Sequence, residues 1–273
     1  MTIRFKPLAG QARRGEFREA LPALLALANS PDAAPGEAWQ AAGCAITILF
    51  WLDRFADAAD LAQMLITRQG PYGGPICAQD APFDTALLAA EIHAGIPAAP
   101  RLARLGAQVP VDSVLGKRLA WLAEQLPDRG VPQLLPNHAP WGGPPLPLDG
   151  VIGASLLDAD YASLPVGKRR ALWNALRAAN QIEPARALYE RTGDLPPQWA
   201  VCTWLAGWYA TMDQGDQGAG ILIAAHDRWQ PYMHWDALPG DVVLQPALRP
   251  LATEHLREYY LTTPIGLEAR EKR

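Results

Sequence analysis

The residues best suited to chemistry in this sequence lie between positions 226 and 241, where histidine and aspartate recur. His226 and Asp227 are adjacent, and His234, Asp236 and Asp241 follow within a short stretch. Imidazole nitrogens and carboxylate oxygens are common protein ligands of zinc and other transition metals. One interpretation of this segment is therefore a metal site, with His226, Asp227 and His234 as the candidate ligands.

In its residue types the segment resembles the all-helical, metal-dependent hydrolases of the His-Asp dyad type. That resemblance implies hydrolysis at a metal centre. Those enzymes also need an earlier ligating histidine and a distant later aspartate on separate helices. The earlier histidines of this chain are His93 and His138, and neither of them lies at the distance along the sequence that this type of metal site requires. The spacing favours the alternative, in which His226 pairs with the neighbouring turn and no cofactor is bound.

Other motifs that mark enzymes are missing from the sequence. The glycine-rich segments 70–74 and 141–143 lack the Lys-Ser/Thr ending of a phosphate-binding loop and follow no predicted strand. There is no GxSxG, HExxH or paired Cys/His motif. Cys44, Cys77 and Cys202 form no CxxC pair and predict no disulfide or metal framework. Cys44 and Cys202 lie in apolar helical runs, where we expect buried thiols.

Composition predicts a folded cytoplasmic protein. The chain has 273 residues, enough for a large core, and 49% of them are hydrophobic. A formal charge of −4 and two short basic runs, Arg13-Arg14 and 168–170, speak against a nucleic-acid-binding face. The N-terminal residues lack the apolar core of a signal peptide. The longest apolar run, 41–52, is too short to span a bilayer.

Short amphipathic helices are the elements that must position these residues, and they are best defined between positions 168 and 212. Apolar residues recur there at intervals of three and four, as one face of a helix requires. The three stripes are Leu172, Ala175, Leu176 and Ala179; Ile182, Ala185 and Tyr189; and Val201, Leu205, Trp208 and Met212. Because the connections between the three helices are short, we expect successive helices to pack as antiparallel hairpins.

Similar patterns predict a largely helical chain with no strands. Further helices are predicted at 17–28, 36–50, 53–65, 83–94, 112–126, 217–229 and 251–260, with Asp53 as an N-terminal cap and a charged, frayed end at 267–273. The density of proline and glycine in 127–150 predicts a long loop. The predicted organisation is an N-terminal helical block (1–126), a connecting loop (127–150) and a C-terminal helical block (151–273).

The helical hairpins resemble degenerate tetratricopeptide (TPR) repeats over about half of the chain. These repeats place a small residue early in the second helix, a large one four later, a small one three after that, and then a helix-stopping proline. The fullest match is Cys202, Leu205, Ala206, Tyr209, Gly218, Leu222, Ala225 and Pro231. Looser matches are Ala185, Tyr189, Thr192 and Pro197; Ala58, Ala62, Leu65 and Pro71; and Ala20, Leu24, Leu27 and Pro31. An irregular helical bundle and an α/α toroid are the alternative all-α folds.

The resemblance to TPR-like repeats implies a function in binding rather than catalysis. Stacked helical hairpins leave a concave groove that commonly holds a peptide or protein. The specific form that we expect is a bacterial immunity protein, which neutralises a cognate toxin by stoichiometric binding. A generic scaffold or adaptor fits the same features nearly as well.

Candidate binding residues follow from two arguments. Aromatic side chains in loops concentrate binding energy when a partner covers them. Exposed carboxylates near the second helical block would attract a basic toxin. The residues selected in this way are Trp141, Tyr232, Trp235, Asp149, Asp158, Asp160, Asp213 and Asp216.

Overall fold

The described part of the protein is all-helical. The computed structural model describes residues 5–58, 60, 61, 64, 103, 107, 154–157, 159–231, 237–244 and 248–270. Over these ranges the backbone forms helices, turns and loops without any strand, which confirms the all-α prediction there. Among the same residues, no helix has the length and apolar character needed to cross a membrane. The helices predicted at 83–94 and 112–126 and the loop predicted at 127–150 lie outside the described residues.

Eleven described helices have defined bounds, and we number them in chain order. They are α1 (Phe5–Arg13), α2 (Phe17–Asn29), α3 (Pro35–Trp51), α4 (Ala154–Leu157), α5 (Val166–Ala178), α6 (Ile182–Thr192), α7 (Trp199–Thr211), α8 (Gly215–Ala224), α9 (Gly240–Leu244), α10 (Glu254–Thr262) and α11 (Gly266–Arg270). Short 3₁₀ turns occupy Tyr161–Ser163, His226–Arg228 and Arg249–Leu251. The predicted helices 17–28 and 36–50 correspond closely to α2 and α3.

Backbone contacts divide the described residues into two compact units. The first contains the described residues up to 107, together with 237–244 and 257–264. The second contains those from 154 to 230, together with 248–256 and 265–270. The predicted boundary at 127–150 stays a prediction, because those residues are not described.

The first unit is built on three mutually packed helices, α1, α2 and α3. Arg257 holds the end of α3, since its Nη1 donates to the carbonyl oxygens of Phe50 and Trp51, each at 3.0 Å. The Trp51 ring stacks on Tyr260, with 4.8 Å between ring centroids. The last carbonyls of α3, which lack helical partners, are thus satisfied by a cation, as the helix dipole favours.

The second unit packs α5, α6, α7 and α8 in sequence order, with α5 also contacting α7. The start of α5 is fixed by Arg169, whose guanidinium donates to the carbonyl oxygens of Leu164 (2.9 Å) and Ala162 (2.6 Å). Beneath it, the buried indole N–H of Trp173 donates to the hydroxyl oxygen of Tyr161 at 2.8 Å. The stripe predicted for α5 is confirmed at Leu172 and Leu176, both fully buried.

The stripe predicted for α7 is confirmed at Val201 and Leu205, both fully buried, but it is wrong at Met212 and as a one-sided pattern. Every residue from Val201 to Gly207 is buried, and Met212 lies beyond the end of the helix with 55% of its surface exposed. Helix α7 contacts α5, α6, α8 and the Arg249–Leu251 turn, so neighbours surround it. A helical segment buried on all sides, as 201–207 is, carries no periodic contrast between apolar and polar faces.

The single helix predicted at 217–229 is interrupted. Helix α8 ends at Ala224, and a 3₁₀ turn, His226–Arg228, follows. Arg270 on α11 donates through Nε to the carbonyl oxygen of Asp227 at 2.8 Å. This bond joins positions 43 residues apart, so a local pattern could not predict it. Of the segment 267–273 that was predicted to fray, residues 267–270 are helical and belong to α11.

Two predicted helix starts are also displaced. The helix predicted from Leu251 begins at Glu254, where the Thr253 hydroxyl accepts from the Leu256 N–H at 3.4 Å. Asp53 was predicted as a cap, but the first backbone bond of the following turn runs from Ala58 N to Arg54 O. Asp53 instead adopts a left-handed backbone conformation (φ 59°), and its carboxylate accepts from Arg257 at 3.3 Å.

Candidate binding surface

Helices α6 and α7 form a hairpin whose local sequence sets its limits. Pro184 lies in the first turn of α6, where its missing N–H removes no helical bond. Gly193 ends α6 with a positive φ of 67°, a conformation that glycine adopts without strain. Two prolines, 196 and 197, keep the chain extended before α7 begins at Trp199. With the helices beginning and ending at these residues, the outer side of α6 lies beside the C-terminal half of α7.

One arginine organises the charges on this hairpin. Arg186 donates to Glu183 one turn before it, at 3.0 Å, and to both carboxylate oxygens of Glu190 one turn after it, at 2.8 and 2.9 Å. Its guanidinium carbon also lies 5.6 Å from the ring centroid of Trp208 on α7. Neighbouring carboxylates raise the pKa of this already basic group, with the Glu190 hydrogen bond as the largest cause.

Aromatic rings connect the two helices beside these charges. The Tyr209 hydroxyl donates to Glu190 at 3.2 Å. The Tyr209 ring meets Tyr189 edge-on at 6.4 Å and Trp208 at 5.2 Å between centroids. Burial, followed by the charge of Glu190, raises the pKa of Tyr209 to about 12. Aromatic pairs in such geometry add specific orientation to the area they bury.

The outer part of this arrangement is accessible. Trp208 and Tyr189 are half-buried, and Met212 follows Trp208 by one helical turn, on the same side. The side chains of Glu183 and Glu190 are 61% and 49% exposed. We name this set the α6–α7 surface: Glu183, Arg186, Tyr189, Glu190, Trp208 and Met212.

Three of the aspartates predicted as docking charges are described, and each has a local structural position. Asp160 precedes a 3₁₀ turn and accepts the N–H of Ala162 at 3.2 Å. Asp213 adopts a positive φ of 57° in the tight connection between α7 and α8. Asp216 lies in the first turn of α8, where the helix dipole favours a negative charge. All three are exposed, and Asp213 and Asp216 lie close in sequence to the end of α7.

The remaining predicted binding residues lie outside the described residues. They are Trp141, Asp149, Asp158, Tyr232 and Trp235. None of the six residues of the α6–α7 surface was among the predicted binding residues. Tyr189, Trp208 and Met212 were assigned to apolar stripes, and the remaining three, Glu183, Arg186 and Glu190, were not singled out. Their spacing of three and four along a predicted helix was an available signal for an ion-paired helix face.

His226 and Asp227 are held by backbone interactions. The Nδ1 of His226 lies 2.8 Å from the carbonyl oxygen of Ile223, and the Asp227 carbonyl accepts from Arg270. Within the described ranges no group of three His, Cys, Asp or Glu side chains is placed to hold a metal ion. His234 is not described, so the metal interpretation stays a prediction.

Cys202, the opening residue of the fullest repeat match, is a buried structural thiol. Its Sγ donates to the carbonyl oxygen of Pro196 at 3.2 Å, and Arg228 donates to the same oxygen. Burial raises the pKa of this thiol to about 12, so it stays protonated at neutral pH. Cys44 is likewise fully buried, which confirms the expectation for both cysteines.

The described residues therefore offer a preorganised surface of aromatic and charged side chains. Comparison with known proteins assigns no function to this surface, because no protein-family model, no curated protein and no solved structure matches the chain. The function must be argued from the chain itself.

Proposed function

We propose that this chain is a helical-repeat protein that binds another protein stoichiometrically, and that its specific role is that of a bacterial immunity protein neutralising a toxin in the cytoplasm. The observation that carries the proposal is the α6–α7 surface. Aromatic side chains and methionine lie beside ion-paired carboxylates there, and Met212 is more than half exposed. Aromatic residues, arginine and methionine are enriched in protein–protein interfaces.

Close packing between α7 and α8 supports the TPR-like part of the proposal. A Cβ atom added to Gly218 would lie 2.7 Å from the carbonyl oxygen of Ala206, a distance that packed atoms do not tolerate. Ala206 and Gly218 are two of the small residues of the fullest repeat match. A hairpin repeat needs small residues where its two helices cross, because they allow the backbones to approach.

Burial at the other matched positions supports the same proposal. The leading small residues of the looser matches, Ala20, Ala58 and Ala185, are all fully buried. In the first unit α1 contacts both α2 and α3, and in the second unit α5 contacts both α6 and α7. Contact of a helix with the next and the next-but-one helix is consistent with stacked hairpins.

Charge favours a basic partner. The chain carries a formal charge of −4, and the second unit exposes Glu183, Asp213 and Asp216. A toxin that acts on nucleic acid presents cations to its substrate, and an acidic protein can cover them. An immunity protein and an adaptor differ in whether the bound partner is toxic on its own.

The test is co-purification from the native host followed by growth rescue. The tagged full-length chain should retain one partner in equimolar amount, and co-expression with that partner should restore growth that the partner alone arrests. A retained partner without toxicity would contradict the immunity role and leave binding intact. Stoichiometric bound metal that is lost in His226→Ala, with the fold preserved, would contradict the binding function itself.

A further inference from the structure

We infer that the α6–α7 surface receives a basic, aliphatic segment of a protein partner, with lysine or arginine facing Glu183 and Glu190 and an aliphatic side chain covering Trp208 and Met212. This inference rests on the proposed binding function and specifies its partner. It moves the point of contact away from the aspartates that the sequence indicated and onto the α6–α7 hairpin.

The net negative charge of the α6–α7 surface favours a basic segment. One guanidinium, Arg186, is shared between two carboxylates, so the three side chains together carry one negative charge. Between Ile182 and Gln217 the chain has five acidic and two basic residues. One of the acidic residues, Asp194, is paired with Arg169 of α5 at 3.3 Å, so the difference with Arg169 included is two negative charges. Glu183 and Glu190 both keep about half of their side-chain surface open to a cation. Such a surface attracts a basic segment and repels an acidic one.

An apolar strip lies beside these charges. Trp208 is half-buried, and Met212 lies one turn further along with 55% of its surface exposed. Methionine adapts its shape to an incoming aliphatic group, and tryptophan is the residue that most often dominates interface energetics. The strip therefore fits an apolar side chain that lies next to a basic one.

The charged side chains of the α6–α7 surface are ordered before any partner binds. Arg186 is fixed by Glu183, Glu190 and the Trp208 ring, and Glu190 is fixed again by the Tyr209 hydroxyl. Side chains that are ordered before binding lose less conformational entropy when the partner arrives. A second copy of this chain is a poor occupant, because a two-fold contact would bring the same acidic surface against itself.

The experiment is selection of short random peptides, displayed on phage, against the full-length chain. The variants are Met212→Lys, at an exposed side chain, and Glu183→Lys, which also breaks the ion pair with Arg186. Urea unfolding of both variants establishes that the chain is still folded under the binding conditions. Val166→Lys is the matched control, because Val166 is an apolar residue of the second unit with 75% of its surface exposed and lies outside the α6–α7 surface.

Selected peptides should combine lysine or arginine with a neighbouring aliphatic residue. Their affinity should fall roughly tenfold or more in Met212→Lys and in Glu183→Lys, and should be unchanged in Val166→Lys. Selection of acidic or uncharged peptides, equal binding by all variants, or selection of no peptide would overturn the inference. The proposed function fails separately, if the chain retains no stoichiometric partner from its native host.

Discussion

The guanidinium of Arg186 lies over the indole ring of Trp208, with 5.6 Å between its central carbon and the ring centroid. The same guanidinium binds carboxylates one turn before and one turn after it on α6. A cation above an aromatic face is attracted by the electron density of the ring. One side chain thus couples the charges of α6 to the half-buried aromatic residue Trp208 of α7.

Replacing Arg186 by methionine should lower the resistance of the second unit to urea. The change removes two ion pairs and the contact with the Trp208 ring, and leaves Glu183 and Glu190 to repel each other across α6. The loss should shrink at high salt, because these charges are exposed and screened. Arg191→Met is the control, since Arg191 is an exposed arginine of the same helix. Equal effects of the two substitutions would contradict this role of Arg186.

Two glycines of α8 should respond to alanine in opposite directions. Gly218→Ala should lower the free energy of unfolding by about 1–3 kcal/mol, because the new Cβ would collide with the Ala206 carbonyl and Leu251. Gly220→Ala should raise it by about 0.5–1 kcal/mol, because alanine favours a helix and, in the described part of the chain, no atom outside the adjacent backbone of α8 lies within 4 Å of the new Cβ. Urea denaturation measures both values. A stabilising Gly218→Ala would contradict the close packing of α7 on α8.

Replacing Arg177 by methionine should stabilise the protein by at most about 1 kcal/mol, because it removes a partly desolvated charge whose cost is reduced by solvent screening. The Nε of Arg177 is buried and has no acceptor among the described residues. Burial also lowers the pKa of its guanidinium. Arg170→Met, at an exposed arginine of the same helix, should change the free energy of unfolding little. If Arg177→Met were destabilising in thermal or urea unfolding, the guanidinium would have to be bound to an acceptor.

Stability should fall as the pH rises above about 9. Burial raises the pKa of Cys202 from 9.0 and that of Tyr209 from 10.0, in each case to about 12. Between these values the unfolded chain loses protons that the folded chain keeps, so the free energy of unfolding decreases with pH. The contribution is complete below pH 9 and is lost as the pH passes about 12. Cys202→Ala and Tyr209→Phe should each reduce the slope of stability against pH, and an unchanged slope in both would contradict the assignment.

Helices with one polar face could be predicted closely from the sequence. Leu172 and Leu176 gave α5 a clear stripe, and the proline and glycine at the ends of α6 set its limits. Helix α7 was harder to interpret, because residues 201–207 are all buried and the pattern has no polar face. The end of α8 depends on the bond from Arg270 to Asp227, which joins distant parts of the sequence. Local patterns carry no information about such contacts.

The candidate surface could be predicted only in part. Trp208 and Met212 were placed in an apolar stripe facing the core, yet the structure leaves the first half-buried and the second exposed. Their exposure depends on where α7 ends and on how α6 packs against it. Neither can be predicted from the fact that the two apolar residues are four positions apart. Asp160, by contrast, caps a turn, as aspartate at the start of a helix commonly does.

Hydrogen exchange on the purified complex tests the central claim most directly. Amide exchange of the full-length chain should be compared with and without the partner retained from the native host. We predict slower exchange in peptides covering α6 and the end of α7, residues 182–192 and 208–213, and no change in α1 to α3. Slowing confined to other segments, with 182–192 and 208–213 unchanged, would contradict the assignment of the α6–α7 surface as the site of binding.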